Sequence, residues 1–315
     1  SERDVEFVES LKACAKKKDL YAGESLHDVV LKKGFLEKSP YIAATLIHMY
    51  AKCGVLLKAQ QVLEEMHDRD VVCWNALIAG HANHGRQQFY EALSCFDQMQ
   101  AHQVSPNAVS LVCALKACGI VRALVKGLEI HGQIRRDLVL EENSLIVGAL
   151  VYMYARCNMI ELAKEVFNKP ALRDVTLWTT LIAGHVRNGC YEEAIDLFEK
   201  MLHEGHTPNA ATYSSILKAY GVIGTAEKGH TMFSEIDQCD FLKTDIVLAN
   251  SVLDMYAKTG FIEKAHNLFD KLPCRDLVSW NTLISGNAYL GKYELVVSLF
   301  NKLIAEGLIP DPTTF

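Results

Sequence analysis

The three tryptophans of this 315-residue chain, Trp74, Trp178 and Trp280, fall in one short motif, WNALIAG, WTTLIAG and WNTLISG, so its copies lie 104 and 102 residues apart. Self-similarity at such a period restricts the chain to a repeat architecture, in which each segment buries its apolar face against a neighbour. Two further motif families subdivide the period. One is SLKAC ending at Cys14, ALKAC ending at Cys118 and ILKAY ending at Tyr220; the other is HMYAKCG from His48, YMYARCN from Tyr152 and DMYAKTG from Asp254. Three kinds of unit therefore alternate: LKA, MYA and Trp units.

Aligning the motifs gives LKA 4–39, MYA 40–70, Trp 71–107, LKA 108–143, MYA 144–174, Trp 175–209, LKA 210–245, MYA 246–276 and Trp 277–311, with 312–315 opening a tenth unit. One irregularity, two surplus residues near Arg86 to Tyr90, reads as an insertion in a turn. Each unit reads as two antiparallel helices. In the first Trp unit, Trp74, Leu77, Ile78 and His81 follow an i, i+3, i+4, i+7 stripe before Gly85, and Ala92, Phe96 and Met99 form a second. A lone hairpin cannot bury both stripes, whereas stacked hairpins share one apolar layer. The prolines lie at or near unit boundaries, where a missing backbone donor costs nothing. The expected fold is an all-α solenoid of stacked helix-turn-helix repeats.

Composition narrows the function. Half of the residues are apolar and 22% charged, which excludes a disordered chain. The longest nearly uncharged run, Leu145 to Ala155, is far shorter than the ~20 residues that span a bilayer. The start, SERDVEF, has neither an apolar signal core nor an Arg/Ser-rich transit composition, as expected of a mature chain or a fragment. Cys14 and Cys118 share a register with Tyr220, and Cys53 and Cys157 share one with Thr259, so free, packed cysteines are expected. No CxxC pair supports a zinc site. His27 and His131 align with Phe233, which reads as ring-sized packing. The P-loop, GxSxG, HExxH and zinc-deaminase patterns are all missing from the sequence, and HEGH at 203–206 has the wrong spacing. The sequence reads as a non-enzyme with no catalytic or metal-binding residues and no cofactor.

The trio of motifs resembles the pentatricopeptide repeat family, specifically the plant PLS subclass. Its P units match WNALIAG with the SPN end at Asn107. Its L units match LKAC followed by Gly23 to His27 or Gly127 to His131, and its S units match MYAKCG with the RD end at Asp70. The resemblance covers essentially the whole chain. It implies a right-handed superhelix, a mitochondrial or chloroplast location, and single-stranded RNA binding at about one nucleotide per repeat.

The residue after each tryptophan is turned by about 100° on the helix and faces the groove if the indole faces the core. The resemblance pairs this fifth residue with the last residue of its unit. Asn offers donors and an acceptor to a pyrimidine edge, while the shorter Thr leaves room for a purine. The pairs Asn75/Asn107, Thr179/Asn209 and Asn281/Asp311 then imply C or U, A, and U; among the other units, Asn250/Asp276 implies U and Ser214/Asp245 implies G. Ala44 with Asp70 and Gly148 with Asp174 lack a polar fifth side chain, and Val8 and Val112 are apolar there, so those units read weakly or without preference. From residue 71 onward the implied site, 5′ to 3′, is Y-N-N-A-N-U-U. The second-position residues Val72, Thr176, Val247 and Val278 are implied to clamp bases between adjacent repeats.

A net charge of −6 is not the footprint of a phosphate-driven binder, although Lys52, Arg156 and Lys258 recur at one position and offer local phosphate contacts or a solvated surface. Two functions are weighed. One is site recognition for organellar C-to-U RNA editing, with accessory editing proteins as partners, no membrane, and the deaminase in an extension absent from this sequence. The other is a protein-binding scaffold. The joint restriction of fifth and last residues favours RNA, since a scaffold is expected to have no need of it.

Overall fold

The computed structural model describes residues 2–82, 85–170, 173–238 and 245–314. Among them, helix follows helix and no strand forms. The first Trp unit is the hairpin Val71–His81 and Arg86–Ala101; the second is Val175–Arg187 and Tyr191–His203; the third is Leu277–Tyr289 and Tyr293–Ala305. The MYA hairpins are Pro40–Lys52 with Leu56–Glu65, Ser144–Arg156 with Ile160–Asn168, and Ile246–Lys258 with Ile262–Lys271. The LKA hairpins are Glu2–Lys17 with Leu20–Lys32, Ala108–Val121 with Leu124–Ile134, and Ala210–Ile223 with Ala226–Gln238. The architecture is an all-α helical-repeat solenoid, in two bodies, residues 1–170 and 171–315.

Within each body the first helices of successive units lie side by side, and each second helix packs on its own first. Local chemistry explains where the first helices stop. Gly54, Asn158 and Gly260 occupy one position of the MYA motif, and all three adopt positive φ, 81°, 62° and 82°. That left-handed turn suits Gly, and Asn is its commonest substitute. Pro40 opens its helix at the first position, where its missing N–H is not needed. The surplus residues near Arg86 to Tyr90 are not in a turn. They extend the second helix, Arg86–Ala101, to 16 residues against 13 in Tyr191–His203 and Tyr293–Ala305.

The motifs are the contacts between units. Trp74, Trp178 and Trp280 are at most 2% exposed. Phe269 of the last MYA unit meets the Trp280 ring edge-on at 4.7 Å. The motif glycine of the Trp unit lets two first helices touch: a Cβ on Gly80 would lie 2.6 Å from Ala51 Cβ, and one on Gly286 would lie 2.8 Å from Ala257 Cβ. At the LKA–MYA junction, Gly23, Gly127 and Gly229 leave space for the side chains of Met49, Met153 and Met255.

The LKA histidines do more than fill space. His27 Nδ1 lies 2.8 Å from Tyr50 Oη, and His131 Nδ1 lies 2.6 Å from Tyr154 Oη. In the third copy His230, three residues before Phe233, reaches Tyr256 Oη at 2.8 Å, while Phe233 packs edge-on against the same ring. The expectation of ring packing alone is corrected to a His–Tyr hydrogen bond, buried at His131 and part-buried at His27 and His230.

Burial pushes His131 down to about 4, with Arg135 and Lys169 adding to the shift and Glu141 opposing it. The unfolded imidazole titrates near ~6.5. The folded state therefore takes up this proton later than the unfolded one, so the stabilisation is complete above ~6.5 and is lost as pH falls toward 4. His131→Phe is expected to shrink the fall in urea midpoint between pH 7 and pH 5; an unchanged fall would show that this imidazole does not set the acid response. Among the described residues no helix is long and apolar enough to cross a membrane.

Candidate nucleic-acid interface

The RD end of the first and third MYA units is a double cap, and the aspartate half recurs in all three. Arg69 Nε donates to Leu63 O at 3.0 Å and its Nη2 to Glu64 O at 2.9 Å, closing the helix before it. Arg275 repeats this on Phe269 O at 3.0 Å and Asp270 O at 3.1 Å. The aspartate caps the helix that follows: Asp70 accepts from Cys73 N at 2.9 Å, Asp174 from Leu177 N at 2.7 Å and Asp276 from Ser279 N at 2.9 Å. Asn107, Asn209, Asp245 and Asp311 accept in the same way from Ser110 N, Thr212 N, Leu248 N and Thr314 N.

This supplies a folding reason for Asn or Asp in the last slot, since such caps are worth ~0.5–2 kcal/mol each. The expectation that a scaffold has no need of the restriction is therefore corrected for the last slot. The caps do not call for a polar fifth residue, because Asp70 and Asp174 cap in units whose fifth residues are Ala44 and Gly148.

Four polar fifth residues meet or approach these caps. Asn75 Nδ2 donates to Asn107 Oδ1, Asn250 Nδ2 to Asp276 Oδ1, and Asn281 Nδ2 to Asp311 Oδ1, each at 3.0 Å. Thr179 Oγ1 donates to Val175 O at 2.7 Å and lies 2.7 Å from Thr212 Oγ1, which donates in turn toward Asn209 Oδ1 at 3.0 Å. The sequence reading missed the third member of each cluster, the hydroxyl three residues past the cap. Ser110 Oγ lies 2.6 Å from Asn75 Oδ1, and Ser279 Oγ lies 2.7 Å from Asn250 Oδ1. Asn/Asp followed three residues later by Ser/Thr was the available signal.

Asn75, Thr179 and Asn281 are half-buried, whereas Asn250 is buried at 8% exposure, deeper than a freely exposed groove position. Asn107 and Asn209 are exposed, and Asp276, Asp311, Ser214 and Asp245 are half-buried. The second-slot residues Val72, Thr176, Val247 and Val278 all stand exposed at the start of their helices. Val8 and Ala44 are buried, and nothing lies within 4 Å of where a Cβ on Gly148 would be.

In residues 171–315, Asn281, Asp311, Thr313 and Val278 line a cleft of about 610 Å³ together with Asp254, Lys258 and Tyr289. Lys258 Nζ pairs with Asp254 at 2.6 Å inside this cleft. Asn281 spends both amide protons, on Asp311 and on Thr313 Oγ1 at 2.8 Å, and its buried Oδ1 has no partner.

At Asp276 and Asp311 the cap's bonds hold its charge. Burial raises the Asp276 carboxyl, and hydrogen bonds from the Ser279 N–H, Asn250 and the Ser279 hydroxyl outweigh it, leaving the group below the usual carboxylate range. The Thr313 hydroxyl leads the contacts that lower Asp311. Both are acceptors only at neutral pH. Burial holds the Cys95 and Cys118 thiols up at about 12, so they are not nucleophiles there. Among the described residues, no group of three His, Cys, Asp or Glu side chains is placed to hold a metal ion.

Stacked hairpins whose unit-to-unit junctions carry paired polar side chains define a helical-repeat protein. The PPR repeat family matches residues 69–119 and 173–221, and the PPR repeat matches 44–71, 247–277 and 278–308. The chain belongs to the pentatricopeptide repeat family. It is 34% identical over 97% of its length to the chloroplastic pentatricopeptide repeat-containing protein At4g18520 of Arabidopsis thaliana, covering 49% of that protein. It is 31% identical over 98% of its length to the mitochondrial At1g06140 of the same plant, covering 55%. The chain thus spans about half the length of the curated relatives it matches. Its fold is similar to that of PPR10 crystallised in complex with an 18-nt psaJ RNA element, with a TM-score of 0.74 at 20% identity, over 93% of this chain and 44% of that one.

Proposed function

We propose that this chain binds single-stranded RNA sequence-specifically, one unit to one nucleotide, through its fifth-slot and last-slot pairs. The observation that carries this reading is the 3.0 Å amide contact to the cap at Asn75, Asn250 and Asn281. Capping alone does not call for it, since other units cap without it. Relatives named chloroplastic or mitochondrial, and the RNA in the PPR10 complex, support an organellar RNA target.

Counting hydrogen bonds sharpens the base choice. Asn107 Oδ1 is spent on its helix and on Asn75, and Asn75 Oδ1 on Ser110, so this pair offers only amide N–H groups, which suit the acceptors O2 and N3 of cytosine. Asn250 has one N–H left and Asp276 has Oδ2, a donor beside an acceptor, which suits uracil O4 and N3–H. The Thr179/Asn209 pair leaves space and the Asn209 amide for adenine.

The alternation of LKA, MYA and Trp units supports the PLS subclass. We place the chain as the site-selecting array of a C-to-U editing factor, with deamination performed by another segment or by an accessory protein. Catalysis is not assigned to this chain. A protein-binding scaffold explains the caps and leaves the amide pairs without a role. Fluorescence anisotropy with an RNA carrying Y-N-N-A-N-U-U is expected to give affinity at least tenfold above the same RNA altered at the A and both U positions; equal affinities would remove the reading.

A further inference from the structure

We infer that the hydroxyl at the third position of the following unit is a positioning residue for base discrimination. Ser110 serves Asn75/Asn107, Thr212 serves Thr179/Asn209 and Ser279 serves Asn250/Asp276. The inference rests on the RNA reading above and adds to it a residue belonging to the next repeat.

Ser110 and Ser279 also complete capping boxes, Oγ accepting from the Asn107 N–H at 3.1 Å and from the Asp276 N–H at 3.3 Å, but capping does not require a hydroxyl at this position. Asp70, Asp174 and Asp245 cap their helices with Cys73, Leu177 and Leu248 at the same third position. The fifth residues at those three junctions are Ala44, Gly148 and Ser214. Where the fifth residue is Asn or Thr, the third position is Ser110, Thr212, Ser279 or Thr314. The hydroxyl therefore accompanies the reading side chain rather than the cap.

An Asn side chain turned by 180° about its last torsion exchanges its donor for its acceptor at nearly constant shape. A donor aimed at Oδ1 removes that ambiguity. Ser279 Oγ lies 2.7 Å from Asn250 Oδ1 and 2.8 Å from Asp276 Oδ1, so its one proton is shared between the two readers. Oδ1 of Asn250 then points inward, Nδ2 spans to the carboxylate, and the second N–H remains for a base. Because Asn250 is only 8% exposed, deleting the hydroxyl leaves an acceptor that water does not readily reach, with the Asp276 carboxylate alone left to hold the amide. Thr314 sits apart from this pattern: it bonds Asp311 Oδ1 at 3.0 Å, while Asn281 Oδ1 has no partner.

The test uses this chain and single-stranded RNAs that differ only at the sixth nucleotide of the site, U or C, opposite Asn250/Asp276. Wild type is expected to prefer U. Ser279→Ala is expected to cut the U-to-C affinity ratio about fivefold, while Ser279→Thr keeps it and the A-to-G ratio at the fourth nucleotide is unchanged in both. A Ser279→Ala protein whose affinities fall together with the U-to-C ratio kept overturns the inference alone, since that is the mark of a purely structural residue. A wild type that binds none of the RNAs overturns the proposed function and this inference with it. Should Ser279→Ala fail to fold, Ser110→Ala asks the same question at the first nucleotide, where the pyrimidine-to-purine ratio must fall for the inference to stand.

Discussion

Replacing Thr179 with Asn is expected to move the preferred base at the fourth nucleotide from adenine to a pyrimidine. Thr179 is held back against its own helix by its bond to Val175 O at 2.7 Å, so its side chain ends short and leaves the larger space. An Asn there is one atom longer and meets a junction already furnished for it, with the Asn209 cap in the place of Asn107 and Thr212 in the place of Ser110. It would adopt the Asn75 arrangement, Nδ2 toward the cap and Oδ1 toward the hydroxyl. A purine then collides with the amide, and a pyrimidine gains a donor. Since leaving one buried polar group unmatched costs ~1–3 kcal/mol, the A-to-C ratio is expected to change by tenfold or more. Competition among four RNAs differing only at that nucleotide reads the result. An unchanged order of preference would remove Thr179 from the readout, and a general loss of affinity would point to damage in the helix.

The fold was largely legible because each motif letter answers to a local demand. The G or N that ends the MYA motif is a left-handed turn at Gly54, Asn158 and Gly260, and the prolines and caps mark helix starts. What stayed hidden were contacts whose two ends lie in different units. Gly80 looks like a helix breaker until Ala51, 29 positions earlier, is placed against it. The His–Tyr bonds were obscured because the third copy moves the histidine from the register of Phe233 to His230, so alignment by column suggested an interchangeable ring. At the candidate site the pairing of fifth and last residues followed from resemblance. The hydroxyl at Ser110, Thr212 and Ser279 did not, since it belongs by sequence to the next repeat. The last-slot Asn and Asp show the opposite difficulty: one side chain serves both the helix start and the proposed readout, and sequence alone cannot separate two reasons for the same residue.

That helix-to-helix approach at Gly80 yields the largest expected loss of stability. Gly in a helix interior costs ~1 kcal/mol relative to Ala, so an unexplained helical Gly should improve on substitution. Gly132 is such a case, helical with nothing within 4 Å of an added Cβ, and Gly132→Ala is expected to raise stability by ~0.5–1 kcal/mol. Gly80→Val should do the reverse. Its Cβ would stand 2.6 Å from Ala51 Cβ, where carbon atoms prefer ~3.5–4.0 Å, and Ala51 has no rotamer through which to withdraw. Leu56 Cδ2 at 3.5 Å closes the side against which a branched methyl would turn. Relief requires Val71–His81 to move away from Pro40–Lys52, which would loosen the packing beneath Trp74 and the adjoining Asn75. Overpacking of this kind costs ~1–3 kcal/mol, and the valine's branched Cβ places the expected loss near ~3 kcal/mol. Paired urea melts of the two variants check the opposite signs, and a Gly80→Val protein as stable as wild type would mean that the two first helices do not touch.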